Sequence, residues 1–600
     1  MFKSKPLAAL VALACAQAAM ANQPVTLDEV VVTATRTATP VAKVLSDVTV
    51  IGEEEIRLST ASNLPQLLAS FAGVEMASNG GAGTNASLFL RGCNSNHVVI
   101  LIDGIRITEA GGGTTKLQLI PLSQLERIEV LRGPASSLYG ADAIGGVIQV
   151  FTKQPTDTTR FTAHAGVGSD KTYQADLAVS GKLDRLGYVL SLSQEQSDGF
   201  SAQPKGNPDD DGYVKQAYDA KLQYELVPGH SLNLNLYQTF SRTEYDQSSS
   251  GQDTSRSRQT GRSLELKNTL AANWQSSLRL IQAEDFTREY TAGNTSKASS
   301  RFDGERKEAV WHNDVDTAFG KFALGFNKVK QDVEAQASYV PGGYKQKQLD
   351  TDAAYLGYQQ QLGTVLLQGS VRKDDTSLFG NKTTGQLGAG VELGQGWLLR
   401  VAKGTAFKAP SFNDFVVNPD IKPEKAKNQE AALRWQQGVH RATLTYFNNE
   451  VEDLINWAPV GGGVWKPSNI DRAKMEGFSL DTRTRVAGVD VLFNVTNQKA
   501  RNGKTGVQLA RRAKEYGTLT VSKAFDQQTV ALEVQGVGQR NDSGGTLHGY
   551  GVANLSLNHA INNDWTLEAR LNNVFDREYE KAKGYATGGR GWFLGVRYAQ

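Results

Sequence analysis

The sequence predicts an all-β transmembrane barrel of about 22 antiparallel strands, with a smaller N-terminal α+β plug domain inside its lumen. Three observations carry this prediction. The 600-residue chain changes near Arg160 from a mixed pattern to a strict alternation of apolar and polar residues. Short turns then alternate with long polar loops. The N-terminus reads as an export signal, yet no later apolar stretch reaches the ~18 residues that a membrane helix needs.

The signal comes first. Lys3 and Lys5 precede the apolar run Leu7 to Ala16, and Ala19-Met20-Ala21 offers small residues for cleavage after Ala21. Residues 1–21 are therefore expected to be removed. Cys15 leaves with them, so the exported chain keeps only Cys93 and no disulfide framework is expected. A lone cysteine of this kind is expected to be a small buried core residue. The seven histidines are scattered without metal-ligand spacing. With 64 basic against 62 acidic residues and a net charge of +2, no broad basic surface is available for nucleic acid.

Residues 156–600 read as the barrel. Tyr173, Ala175, Leu177 and Val179 alternate with polar or small residues, as do Leu222, Tyr224 and Leu226, and Leu232, Leu234 and Leu236. The same rule holds for Leu264 and Leu266, and from Trp565 to Leu571. Alternation sends one set of side chains to each face of a strand. The strands are expected to be near ten residues, the length of a tilted membrane strand. Short turns at Val227 to His230 and Ile561 to Asp564 contrast with long loops at Glu195 to Asp211 and Glu244 to Arg262. Tyr188, Tyr224, Tyr237 and Trp565 are placed at strand ends, where an interfacial aromatic girdle sits. A soluble sandwich explains none of this asymmetry, and no short propeller-type repeat is present. In hydrocarbon every backbone group must be paired, so the sheet must close. At about 20 residues for each strand and its share of loop, the segment makes about 22 strands, the class with a plugged lumen.

Residues 41–155 read as the plug. The apolar runs Val98 to Ile102 and Ile144 to Phe151 alternate with glycine-rich turns and a helical stretch near Ala61 to Ala69. Residues 22–40 form a polar arm ahead of it. Within the arm, Asp28-Glu29-Val30-Val31-Val32-Thr33-Ala34 is a short β-prone run. It reads either as the first strand of the plug or as a free peptide for strand addition to a partner.

A set of segments then occurs in a characteristic order. Leu90-Arg91-Gly92 leads to Val99 through Gly104, Ile128 through Pro134, and Leu138 through Ile148. In the barrel come Gly404 through Pro410, Asn418 through Glu424, and Asn572 through Asp576. Together these resemble the TonB-dependent receptors of the Gram-negative outer membrane. Within that family, the run Arg91 to His97 leading to Asp103-Gly104 is similar to its vitamin B12 (cobalamin) transporters.

The resemblance implies several further things. Asp28 to Ala34 is the TonB box, the segment that the periplasmic protein TonB engages. Substrate meets two apical loops of the plug, at Asn79, Gly80, Gly81 and Thr84, and at Gly111, Gly112 and Gly113. Glycines there let backbone amides approach a large ligand, although the run of three glycines replaces bulkier residues and leaves the corrinoid accepted open. Asp198, Asp209, Asp211, Tyr245, Asp246 and Asp253 fall in the first two long loops, where the cobalamin transporters carry calcium. Clustered carboxylate oxygens suit that hard cation, though such residues also serve as solvated turns. Arg91 and Arg132 of the plug are expected to pair with barrel Glu424. The second glutamate of that lock is replaced by Ser479, so another carboxylate is expected nearby. Outer-membrane lipids around the barrel, and phage or colicin ligands on its loops, belong to the same set of implied partners.

Enzymatic function is not expected. There is no Gly-x-Ser-x-Gly elbow, no His-Glu-x-x-His and no Walker-type phosphate loop. Energy for uphill transport must then come from outside the chain. The second cargo to weigh is a ferric siderophore. Haem is disfavoured by the absence of histidine between Phe407 and Ile421.

Overall fold

A computed structural model describes residues 30–600 apart from 110, 247–251, 292, 295, 337–342 and 462–464. The signal segment 1–21 and residues Asp28 and Glu29 therefore lie outside the described residues.

The plug comprises β1 (Val30–Val31), β2 (Thr39–Pro40), β3 (Asp47–Gly52), α1 (Glu53–Leu58), α2 (Leu64–Ala69), β4 (Val74–Ser78), β5 (Ala86–Leu90), β6 (Val98–Ile102), β7 (Ile105–Arg106), β8 (Leu125–Arg132), α3 (Ser136–Tyr139) and β9 (Gly146–Thr152). Five of these strands form one sheet in the order β3-β8-β9-β6-β7. The β6–β9 pair is parallel. The unbroken apolar run of β6 reads as a strand covered on both faces, and it is. Val98, Ile100 and Ile102 join the core formed with Leu64, Leu68 and Ile128. Val99 and Leu101 turn to the opposite face, beside Val31, Val44 and Leu131. Asn63 caps α2, accepting from the Gln66 amide at 3.1 Å.

Around the plug, 22 antiparallel strands close into a barrel, the first (Arg160–Gly168) pairing with the last (Gly591–Ala599) from Thr162↔Ala599 to Gly168↔Phe593. The predicted alternation holds along the wall. In Leu186–Ser197, Leu190 and Leu192 face outward while Ser191 and Ser193 are buried toward the plug. An exposed apolar belt of this extent requires lipid around it. Turns on one rim are short, two to four residues, whereas the other rim carries segments such as 198–212, 409–423 and 573–590.

Two sequence expectations need correction. Strands are not uniformly near ten residues; they run from 8 (Trp565–Asn572) to 22 (Trp465–Val486). A tilted strand crosses hydrocarbon in about 9–11 residues, and the surplus continues the ladder above the membrane. There the outer face meets water as well, so apolar residues no longer alternate with polar ones, as in Ser255-Arg256-Ser257-Arg258, where Ser257 is buried beside Lys116 of the plug. The loops foreseen at Glu195 to Asp211 and Glu244 to Arg262 are accordingly shorter, bounded by strands ending at Ser197 and Tyr245 and resuming at Tyr213 and Asp253. Tyr237 is not a girdle residue either. It is buried in the lumen and joins the plug core with Ile281 and Ala283. Tyr224, Trp274, Trp397 and Trp565 do stand exposed near the short-turn rim.

Candidate functional site

The arm is not free where it is described. β1 folds back antiparallel onto β2, and the Arg36 amide donates to the Val32 carbonyl at 2.8 Å to close the turn. Val31 and Ala34 are buried against Val99, Leu101 and Val147 of the plug. One oxygen of Glu129, Oε2, accepts from the Val32 amide at 3.0 Å, the Thr33 amide at 2.8 Å and Thr33 Oγ1 at 2.7 Å. The Tyr139 hydroxyl donates to the Thr33 carbonyl at 3.0 Å. Arg36 lies 4.7 Å from the ring centroids of both Tyr139 and Tyr355. Of the two readings of this run, the described residues Val30, Val31, Val32, Thr33 and Ala34 take up the first, a strand laid on the plug: Val31 and Ala34 are buried and the Val32 and Thr33 amides have an acceptor, while Val30 stays exposed. Glu129 carried a signal that the sequence reading missed, a charge in the middle of the apolar strand Ile128-Glu129-Val130-Leu131. Buried charge demands a partner.

The apical loops lie at the top of the plug, under the long loops. A Cβ at Gly80 would stand 2.8 Å from that of Ala202, and one at Gly83 would stand 2.5 Å from the Tyr213 ring. Gly81 faces Phe200. Asn79 Oδ1 accepts from Arg511 at 3.4 Å. Thr84 is buried and donates from Oγ1 to the Gly81 carbonyl at 2.8 Å, so it shapes the turn. The second loop meets the segment 409–423, which carries α4 (Phe412–Val417). The Gly111 carbonyl accepts from the Asn413 amide at 3.0 Å. Gly112 lies near Asn413, and Gly113, at φ +73°, lies near Lys408 and Ser411. Both glycine loops therefore admit close backbone approach, and both are approached by the chain's own surface loops.

The acidic residues divide. Asp211 Oδ2 accepts from the Ala202 amide at 2.7 Å. Asp246 accepts from the Gln203 amide at 2.8 Å and from Asn207 Nδ2 at 2.9 Å. Burial pushes the Asp211 carboxyl up to about 7, with Asp246 and Asp209 adding to the rise. Asp246 is raised by burial as well. Asp209 Oδ1 is buried and accepts no hydrogen bond. Asp198 instead forms an exposed ion pair with Lys171 at 2.6 Å. Tyr245 and Asp253 face each other across the next hairpin. Among the described residues no three acidic, histidine or cysteine side chains stand close enough, as placed, to hold a metal ion.

The plug–barrel lock uses a different glutamate from the one expected. Arg91 pairs with Glu430 at 2.6 Å and with Asp47 of the plug itself. Arg132 reaches Asp47 at 3.4 Å, and barrel Arg400 binds Glu430 at 2.7 Å. Glu424 binds neither arginine; its carboxylate meets His97 at 2.8 Å, both fully buried. Ser479 lines a cavity with Asp47, Arg132 and Asp481, so carboxylates do stand near the missing glutamate. Glu476 faces away, paired with Arg501 at 2.9 Å. Cys93 is buried, as expected, and accepts from Asn449 Nδ2 at 2.9 Å.

Comparison with known proteins agrees with this architecture. Residues 152–574 match the model of the TonB dependent receptor-like β-barrel, and residues 40–147 match that of the TonB-dependent receptor plug domain. The chain is 32% identical to the vitamin B12 transporter BtuB of Vibrio vulnificus, covering 96% of this chain and 95% of that protein. It is 28% identical to BtuB of Photobacterium profundum, over 98% and 99%. Among solved structures, the siderophore receptor PirA of Acinetobacter baumannii superposes with a TM-score of 0.81 at 18% identity, over 92% of this chain and 98% of that one. The ferric enterobactin receptor PfeA of Pseudomonas aeruginosa also gives 0.81 at 18%, over 95% and 100%. At that identity these two show the fold alone. A closed 22-strand wall, a plug filling it and two matching family models lead to one conclusion: this chain is an outer-membrane barrel belonging to the TonB-dependent receptor family.

Proposed function

We propose that this receptor imports vitamin B12 or a related corrinoid, drawn through the outer membrane by TonB acting on the arm that includes Asp28 to Ala34. The observation that carries the cargo is the 32% identity to a vitamin B12 transporter over 96% of the chain. Cargo would rest on the apical loops at Asn79 to Thr84 and Gly111 to Gly113, where missing side chains leave backbone amides open to it. The segments 198–212 and 409–423 would rise to admit it and then close.

Calcium would order the first of these segments. Asp209, Asp211 and Asp246 supply the oxygens, with Tyr245 and Asp253 on the adjoining hairpin. The fit rests on the buried Asp209 oxygen that accepts no hydrogen bond among the described residues, and on the Asp211 and Asp246 carboxyls, raised first by burial and further by neighbouring carboxylates. A cation nearby would hold those groups ionised. Ordering before cargo arrives lowers the entropic cost of binding.

The test is equilibrium binding of cyanocobalamin to the detergent-solubilised receptor, with calcium and with chelator. Tight binding that calcium strengthens supports cargo and cation together. Failure to bind in either condition, with protein shown to be folded, sinks the corrinoid reading and moves the cargo to a ferric siderophore. Asp209→Ala with Asp211→Ala should weaken binding and abolish its calcium dependence. Deleting residues 28–34 should leave binding intact and abolish uptake.

A further inference from the structure

We propose that cargo crosses the receptor along one wall of the barrel, between the plug and the strands that lie on either side of barrel closure. This rests on the transport function proposed above and assigns its route. The near wall comprises Arg160–Ser197 at the start of the barrel and Glu515–Ala599 at its end, joined where Arg160–Gly168 meets Gly591–Ala599.

The first observation is a cavity. A crevice of about 390 Å³ separates the plug from this wall. At one end it is lined by Glu53 and Lys153, beside the short-turn rim; at the other it reaches Asp170 and Gly588, in the opposite rim. It therefore runs the height of the barrel. Its upper part is lined by Gly80, Gly81, Phe200 and Asp211, the first apical loop and the acidic segment above it. A solute released there stands at its mouth.

The second observation is how unevenly the plug is held. Among the described residues, the ion pairs between plug and barrel use Lys221, Arg400, Glu424, Glu430 and Arg483, all outside the near wall. The buried apolar clusters that join plug to barrel also draw on other strands. Cys93 and Ile144 pack with Ala426 and Met475; Leu45 packs with Leu366 and Leu398; the main plug core takes in Tyr237 and Ile281. The near wall contributes no residue to any of these clusters. Among the described residues its polar contacts with the plug are hydrogen bonds without an ion pair, such as Ser123 Oγ to Asp176 Oδ1 at 2.7 Å, Ser70 Oγ to Glu533 Oε2 at 2.9 Å and Ser556 Oγ to the Leu58 carbonyl at 2.8 Å. Each such bond to a carboxylate stabilises the docked plug more than a neutral one does, but both partners can be rehydrated as the gap opens, whereas the other walls must expose buried apolar clusters and desolvated ion pairs. A pull on the plug thus parts it from the near wall first.

The third observation is the lining itself. His164 stands 2.9 Å from Asp176 and 3.6 Å from Glu568, and Lys215 pairs with Glu195 at 2.9 Å. These polar groups stand beside apolar lining on the plug side, such as Ile56, Val74 and Ile120, so the crevice offers both hydrogen-bonding and apolar surface to a large amphipathic solute.

Cross-linking tests the route. The near-wall tether is Ser123→Cys with Asp176→Cys. The opposite tether is Ser137→Cys with Ser370→Cys, whose hydroxyls are 2.7 Å apart in the native chain. Each pair is closed by oxidation to a disulfide, or by a short bifunctional thiosulfonate that forms a disulfide with each cysteine and releases sulfinate, and is reopened by reductant, so each variant is its own control. Native Cys93 is buried and burial pushes its thiol up, away from the reactive thiolate. Uptake of labelled cyanocobalamin should fall at least tenfold when the near-wall tether is closed, with binding unchanged, and stay within twofold when the opposite tether is closed. Uptake that survives the near-wall tether, or is equally blocked by both, overturns the route. If the reduced forms take up no cyanocobalamin, the cargo reading fails instead. Conductance of planar bilayers holding the same variants in moderate urea then decides the route without any cargo. Suppression by the near-wall tether alone upholds it, and any other pattern overturns it.

Discussion

Thr33 donates two hydrogen bonds to a single carboxylate oxygen of Glu129, from its amide at 2.8 Å and its hydroxyl at 2.7 Å. The Val32 amide adds a third at 3.0 Å. Arm and plug sheet are therefore joined at one buried charge, and the arm must leave that charge to become a strand for a partner. Hydrogen bonds to charged groups contribute about 1.5–3 kcal/mol each. Glu129→Ala should lower hydrogen-exchange protection of the Val32 and Thr33 amides by roughly 10- to 100-fold, while cyanocobalamin binding is retained. Unchanged protection would show that the apolar contacts of Val31 and Ala34 hold the arm without Glu129.

Asp47 is the shared anion of Arg91, Arg132 and Arg400. Removing it leaves Arg91 and Arg400 sharing Glu430, and leaves Arg132 without an ion-pair contact among the described residues. Uncompensated buried charge costs about 3–5 kcal/mol. Asp47→Ala and Asp47→Asn should both lower the urea midpoint of the plug, by similar amounts, because charge rather than shape is lost. Glu424→Gln should leave this arginine cluster intact, since Glu424 engages His97. An equal loss in all three variants would return Glu424 to the lock.

The barrel was legible because lipid outside and a polar lumen inside force a period of two, and Leu190/Ser191 obeys it. The plug strand Val98 to Ile102 was legible for the opposite reason, being covered on both faces. What stayed hidden depends on three-dimensional proximity. Glu430 and Glu424 both follow the Asn418 segment, and only the fold shows which one lies under Arg91. Asp47 sits at the start of a plug strand with nothing local to mark it as the centre of four charges. The strand extensions above the membrane carry no apolar alternation because both their faces are polar, as at Arg256 and Ser257. Of the acidic residues, Asp209 and Asp246 lie near enough to Asp211 to raise its carboxyl, while Asp198 turns outward to Lys171.

The two apical loops should respond differently to a single methyl group. At Gly83 a Cβ would stand 2.5 Å from the Tyr213 ring, and that ring is held by its hydroxyl's 2.6 Å bond to Glu195. At Gly111 the nearest atom, the Tyr344 hydroxyl, is 3.4 Å away. Overpacking of the first kind costs about 1–3 kcal/mol. Gly83→Ala should displace the first apical loop and weaken cyanocobalamin binding by roughly tenfold, whereas Gly111→Ala should change it by less than about threefold. Equal effects in a titration of both variants would separate loop position from binding.

Glu75 should make the docking of the segment 503–514 on the plug depend on pH. Its carboxylate accepts from the Ala513 amide at 2.6 Å and from Gln498 Nε2 at 2.6 Å. Burial nevertheless pushes it from an ordinary 4.5 up to about 7. The folded state then binds the proton more tightly than the unfolded state. Its contribution is fully present below about pH 4.5 and is lost as pH rises through about 7. Protection of the Ala513 amide, corrected for intrinsic exchange, should therefore be greater at pH 5 than at pH 8. Glu75→Gln has no proton to lose and should flatten the difference. A wild-type profile already flat across that window would mean that the two donors hold Glu75 ionised despite its burial.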